Sequence, residues 1–324
     1  MNLKCDGVFE GGGVKGTGFA GAISAIEASG YNFENVVGTS AGAIVASLIA
    51  VGFNAKELKL EIDNLDYKLL RQKSFLDKFS YPGKIISIFK NFGIYNTEYF
   101  EHWLSSLFLK KNKILFKDIK TKYQNIKYKY KFQAIASDLT DRKLLILPRD
   151  LVNFGINTDE FPIAKAVTMS MSIPVFFKPT YLKDLNGKKH VIVDGGLLSN
   201  YPVWLLDDGT SNPPWPTFGF KFSNDKLQGS DVPINNFIDY SKSIVSTLLE
   251  APNNFHISMS KGDFQRTIMI PTEVMVKDKL KNINTTYFDI TSEEKMLLFK
   301  NGFDAATNFL EKWNFSDWKK RFRV

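Results

Sequence analysis

Apolar and polar positions divide the first fifty residues into two similar units. Residues 3–9 read as a short strand, and residues 17–29, small and apolar, as a helix. Residues 33–37 read as a second strand. Residues 40–51, SAGAIVASLIAV, are apolar all round, which marks a helix buried on every side. A glycine-rich turn separates each strand from its helix: GGGVKG at 11–16 and GTSAG at 38–42. Alternation of this kind predicts an α/β fold with three layers, α/β/α, around a mainly parallel central sheet.

The pattern continues less regularly. Residues 55–125 are lysine-rich and aromatic with helical periodicity, and are expected as helices outside the sheet. Residues 128–137 and 144–147 read as strands. Residues 163–172 read as a helix that stops before Pro174. A short apolar strand at 190–193 ends in Asp194-Gly195-Gly196. A proline-rich break at 212–216 is the best candidate boundary. Beyond it, residues 218–222 read as a strand, and 234–249 and 292–313 as long helices. The chain has no internal repeat, which excludes a solenoid.

Composition narrows the classes. The chain has 324 residues, 44% hydrophobic and 23% charged, enough to bury a sizeable core. Cys5 is the single cysteine, so no internal disulfide and no cysteine-rich metal site can form. The first residues contain no apolar run of signal-peptide length. The longest apolar stretch, 43–52, is far short of the ~20 residues that span a bilayer. A cytoplasmic protein, at most peripheral at membranes, is expected. The net charge is +8, and residues 110–131 hold nine lysines against one acid, Asp118. Tyr123, Tyr128, Tyr130, Phe116 and Phe132 are interleaved with them. That segment reads either as a solvated face or as a surface for anions such as lipid headgroups.

The two glycine turns pose different chemistries. Gly11 to Gly16 fits G-x-G-x-x-G, the dinucleotide fingerprint, which also needs an acid at the end of the second strand. Here that strand runs into Gly38-Thr39-Ser40, and Glu34 stands at its beginning. The G-K-[ST] order of a phosphate loop is absent as well. What remains is a cradle of backbone N–H groups at a helix N-terminus, suited to any negative charge, including a transient oxyanion. Gly38 to Gly42 fits G-x-S-x-G, a tight strand-to-helix turn that exposes a serine nucleophile. Taken alone, Ser40 could equally be a helix N-cap.

A serine nucleophile needs a base. The histidines are His102, His190 and His256. His256 could complete a Ser40-Asp194-His256 triad, the alternative reading as a soluble carboxylesterase. His190 is at the far end of its strand, and His102 is in a predicted helix. Asp194 ends an apolar strand before two glycines, poised to reach Ser40, although Asp-Gly is also a common turn pair.

Together these residues resemble the patatin-like phospholipases, lipid acyl hydrolases with a Ser–Asp dyad. Gly11–Gly16 is similar to the family's oxyanion loop, Gly38 to Gly42 to its elbow, and Asp194-Gly195-Gly196 to its D-G-[AG] motif. Ser172-Ile173-Pro174-Val175-Phe176-Phe177 resembles its S-x-P-x-x-F block, and Asn200-Tyr201-Pro202 its N-x-P stretch. Lys15 stands where arginine is frequent, and Glu10 where aspartate is common in some members. The resemblance covers residues 7–207 as a catalytic core and leaves 208–324 as a C-terminal extension, expected to pack on the same sheet. It implies that Ser40 is the nucleophile and Asp194 the proton acceptor. It also implies an oxyanion hole from the N–H groups of Gly12, Gly13 and Val14, with no metal and no cofactor. The implied substrate is a phospholipid or another acyl lipid. The implied partner is an anionic membrane surface, met peripherally, rather than nucleic acid. Basic and aromatic residues at 81–95, 110–131 and the C-terminal WKKRFRV suit such a surface.

Overall fold

The computed structural model describes residues 3–65, 91–123, 126–207, 209–223, 234–235, 237–250, 262–285 and 287–323. β1 (Leu3–Phe9) passes through a 3-10 turn at Gly13–Gly16 into α1 (Thr17–Ala28). β2 (Tyr31–Thr39) passes through Ser40 into α2 (Ala41–Val51), of which every residue but Ile44 is buried. α3 (Ala55–Asn64) starts with a capping box between Asn54 and Glu57. β3 (Gly93–Tyr95) and α4 (Glu98–Lys110) follow. The middle of the chain supplies β4 (Phe132–Asp138), β5 (Lys143–Leu147), α5 (Ile163–Ser170), β6 (Val175–Phe177), β7 (Thr180–Lys183) and β8 (Lys189–Asp194). β9 (Thr217–Ser223), α6 (Phe237–Glu250), β10 (Thr267–Pro271), β11 (Glu273–Val276) and β12 (Lys279–Asn282) come next. α7 (Ser292–Lys312) and α8 (Phe315–Phe322) end the chain.

The main sheet has eight strands in the order β10-β9-β1-β2-β4-β8-β7, with β5 also on β4. β10, β9, β1, β2 and β4 are parallel, whereas β5 and β8 run antiparallel to β4. Register then positions the site. Thr39, the last residue of β2, pairs with Ile135, and Asp194, the last of β8, pairs with Ala136. β5 pairs with residues 134–138 of β4. It fills one edge, so β2 and β8 meet end-on along the other. The turn after β2 and the acid that ends β8 are brought to one point.

Strand alternation sorts side chains to two faces. Phe9 faces the larger core, stacking on Phe220 at 4.5 Å and meeting Phe19 edge-on at 5.6 Å. Val8, Val37 and Ile135 face a smaller core with Tyr201, Val203 and Leu205. The C-terminal part completes the larger core. A Cβ on Gly302 of α7 would stand 1.8 Å from the Gly18 carbonyl oxygen of α1, so the two backbones touch where both residues lack a side chain.

The sequence reading differs from the structure where the chain is short-ranged or charged. Residues 110–123 are not helical beyond α4 apart from a 3-10 turn at Phe116–Ile119, and β4 begins at Phe132 rather than at 128. Residues 66–90, most of the 81–95 stretch among them, lie outside the described residues. The basic segment is substantially neutralised. Lys110 pairs with Glu61, Lys111 with Glu57, Lys117 with Glu160, and Lys120 and Lys129 with Asp159, all between 2.6 and 3.1 Å. Its Phe116, Tyr130 and Phe132 are buried in the core. No helix among the described residues is long and apolar enough to cross a membrane.

Candidate active site

Ser40 sits in a strained turn. Its φ of 53° and ψ of −121° are a conformation that L residues seldom adopt. The small neighbours are a steric requirement. A Cβ on Gly38 would stand 2.2 Å from the Gly42 carbonyl carbon, and one on Gly42 2.2 Å from the Phe9 carbonyl oxygen. Only glycine at both positions lets α2 leave β2 so sharply against β1. The Ser40 N–H donates to Ser170 Oγ at 3.0 Å, and that hydroxyl donates to the Ile135 carbonyl at 2.6 Å. The strained turn is thus held from α5 and β4 together.

Asp194 comes to the same point from β8. Its N–H donates to the Ser172 carbonyl at 3.0 Å, and Oδ1 accepts from Gly196 N–H at 2.7 Å. The side chain has no solvent exposure, and Oδ2 makes no hydrogen bond of ordinary geometry. Burial pushes its carboxyl up to about 7, against the opposing pull of the Ser40 hydroxyl and the Gly196 N–H. The Ser40 hydroxyl and the Asp194 carboxyl are thus neighbours.

The first glycine loop lies against both. Gly11 exchanges hydrogen bonds with Asn200, donating to its carbonyl at 3.0 Å and accepting from Nδ2 at 3.2 Å. A Cβ on Gly11 would be 3.3 Å from Ser40 Cβ. Gly13 has a φ of +55°, and the Val14 N–H donates to the Thr285 carbonyl at 3.2 Å. Among the described residues, neither Gly12 N–H nor Gly13 N–H has a hydrogen-bond acceptor. Glu10, just before the loop, is buried against Lys221, with Oε1–Nζ at 2.6 Å, and Oε2 accepts from Phe222 N–H at 2.7 Å. Lys15 is buried, its ammonium 4.9 Å from the centre of the Phe222 ring.

The site residues read from the sequence thus lie together at the carboxyl ends of β1, β2 and β8. The chain matches the patatin-like phospholipase family over residues 7–207. It belongs to that family. Among curated relatives of this patatin-like chain, YqhO, an uncharacterized protein of Bacillus subtilis, is 36% identical over 318 residues, 97% of this chain and 100% of that one. The uncharacterized protein R571 of Acanthamoeba polyphaga mimivirus is 27% identical over 306 residues, 91% of this chain and 90% of that one. VipD of Legionella pneumophila shares the fold, with a TM-score of 0.53 at 18% identity over 96% of this chain and 67% of that chain. ExoU of Pseudomonas aeruginosa, solved in complex with SpcU, shares it at a TM-score of 0.51 and 15% identity. The present chain spans 100% of itself in that match and 53% of ExoU.

Two of the three histidines are among the described residues. His102 is exposed on α4. His190 is buried at the start of β8, with Nδ1 2.7 Å from Asp138 Oδ2. His256 lies outside the described residues. One group among the described residues, Asp138, Asp141 and His190, has metal-ligating reach. Within it Asp138 is engaged with His190 Nδ1, and Asp141 with Lys188 at 2.6 Å. Sequence reasoning missed Ser170 and the Glu10–Lys221 pair. Ser170 stands two residues before the S-x-P block, a spacing that carries no chemical signature without the fold.

Proposed function

We propose that the chain is a phospholipase A-type lipid acyl hydrolase that works through a Ser40–Asp194 dyad. The observation that carries this reading is the pairing of a serine in a strained turn with a fully buried carboxyl held near 7. Ser40 Oγ attacks the ester carbonyl as Asp194 Oδ2 takes its proton. The N–H groups of Gly12 and Gly13 hold the oxyanion; that of Val14 is engaged with Thr285. Asp194 returns the proton to the leaving alcohol, then activates the water that cleaves the acyl-enzyme. Loss of one such oxyanion donor typically costs about 3–4 kcal/mol in the barrier.

The substrate is a fatty-acyl ester of a phospholipid, met at a membrane surface. On α6, Tyr240, Ile244 and Leu248 are 52%, 42% and 49% exposed at a spacing of four residues, one helical stripe. Leu198 and Trp204, just beyond the Asp194 turn, are 45% and 48% exposed. These apolar groups support peripheral contact with lipid better than the neutralised lysine segment does. Lipid profiles of cells expressing the wild type or Ser40→Ala test the reading. Accumulation of lysophospholipid and free fatty acid with the wild type alone is expected, and identical profiles would exclude it. Near-wild-type turnover by His256→Ala is expected too, and its loss would favour the triad.

A further inference from the structure

A second polar constellation lies on the opposite face of β1 from the phenylalanine core. Asp6 is 4% exposed, and its Oδ1 accepts from Asn35 N–H at 3.0 Å and from Asn35 Nδ2 at 2.9 Å. Burial raises this carboxyl to about 7, against the opposing pull of the Asn35 amide and the Trp215 indole. Asn35 is 2% exposed, and its Oδ1 has no hydrogen-bond partner. Because Nδ2 is committed to Asp6, the amide orientation is fixed and the unpaired atom is an acceptor.

Both side chains line a cavity of about 150 Å³ together with Tyr123, Tyr128 and Trp215. Trp215 packs 5.9 Å from Tyr123, and Tyr123 sits edge-on to Tyr128 at 6.4 Å, so aromatic rings form a continuous wall. Arg266 and Arg323 border the far side, and both are committed. Arg266 pairs with Asp263 and Asp207, Arg323 with Asp207, and both stack on Trp318. At the floor, Asn35 Oδ1 is an acceptor left without a hydrogen bond, and it calls for a donor.

We propose that this cavity binds a small organic ammonium, a primary or secondary amine cation on a compact apolar body. The N–H groups would donate to Asn35 Oδ1 and the Asp6 carboxylate, and the aromatic wall would meet the cation and its apolar part. A cavity of this volume takes a benzene-sized body. The site stands midway along β1, at Asp6 and its neighbour Thr217, the first residue of β9, whereas Ser40 and Asp194 stand at the carboxyl ends of their strands. It is thus a binding function separate from ester cleavage.

Calorimetric titration of the full chain at pH 8 tests it with three probes of one shape: benzylamine, benzyl alcohol and benzoate. Saturable binding of one benzylamine per chain is expected, with benzyl alcohol and benzoate at least about tenfold weaker. Asp6→Asn should weaken benzylamine at least about tenfold, as should Trp215→Leu, in proteins whose circular dichroism matches the wild type. Equal binding of benzyl alcohol, preference for benzoate, no saturation by benzylamine, or unchanged affinity in folded Asp6→Asn would each overturn the assignment. The wild-type probe series decides the matter even if a variant fails to fold.

Discussion

Asp194 is costly to ionise in its buried place. Its native carboxyl titrates near 7 against an ordinary value of 3.8. Between those values the folded chain keeps a proton that the unfolded chain has lost, so stability falls as pH rises through that window. Asp194→Asn cannot ionise and still accepts from Gly196. It should be more stable than the wild type at pH 8, by up to about 4 kcal/mol, with the gap closing near pH 4. Urea denaturation at both pH values checks this, and equal midpoints would refute the buried charge. The same ionisation should appear in catalysis, with kcat/KM rising through a single step near pH 7. Ser170→Ala removes the acceptor for the Ser40 N–H. It should lower kcat on the order of tenfold to a hundredfold with KM little changed. Ser40, Asp194 and the glycines were legible in the sequence because each must be one residue type at one spacing. Ser170 was not, since its role exists only once α5 is laid against β4.

Elements with a clear period were legible, and those without one were not. α1, α2, β1 and β2 show in the pattern because a full turn or several alternations fit within them. β3 and β6 have three residues each, and β7, β11 and β12 have four, too few to show a period. The segment at 110–123 misled because its lysines pair across to α3 and to Asp159 and Glu160 rather than lining one helix. Close approach of α1 and α7 is a further element-level feature. Gly302→Ala should lower stability by about 1–3 kcal/mol or more, because the methyl meets backbone that cannot yield, and a thermal melt reads the loss. The α6 stripe gives a functional test at the same scale. Ile244→Glu with Leu248→Glu should slow hydrolysis of phospholipid vesicles at least about tenfold while sparing a soluble short-chain ester. Equal loss on both substrates would assign the stripe to packing.

The molecule is tied together across the proline-rich break. β9 and β10 extend the sheet from β1, and Lys221 of β9 meets Glu10 at the mouth of the first glycine loop. Glu10→Gln would leave a buried ammonium unpaired, at an expected cost of about 3–5 kcal/mol measured by denaturation. Residues beyond 208 therefore support the first glycine loop, a dependence that local sequence patterns cannot display because its partners stand about two hundred residues apart. The central claim remains the dyad. Its most direct test is fatty-acid release from phospholipid vesicles by the purified wild type, Ser40→Ala and Asp194→Ala, each checked for native circular dichroism. Release by the wild type and a loss of at least about a thousandfold in each variant is the predicted result. Comparable release by either folded variant would contradict the account.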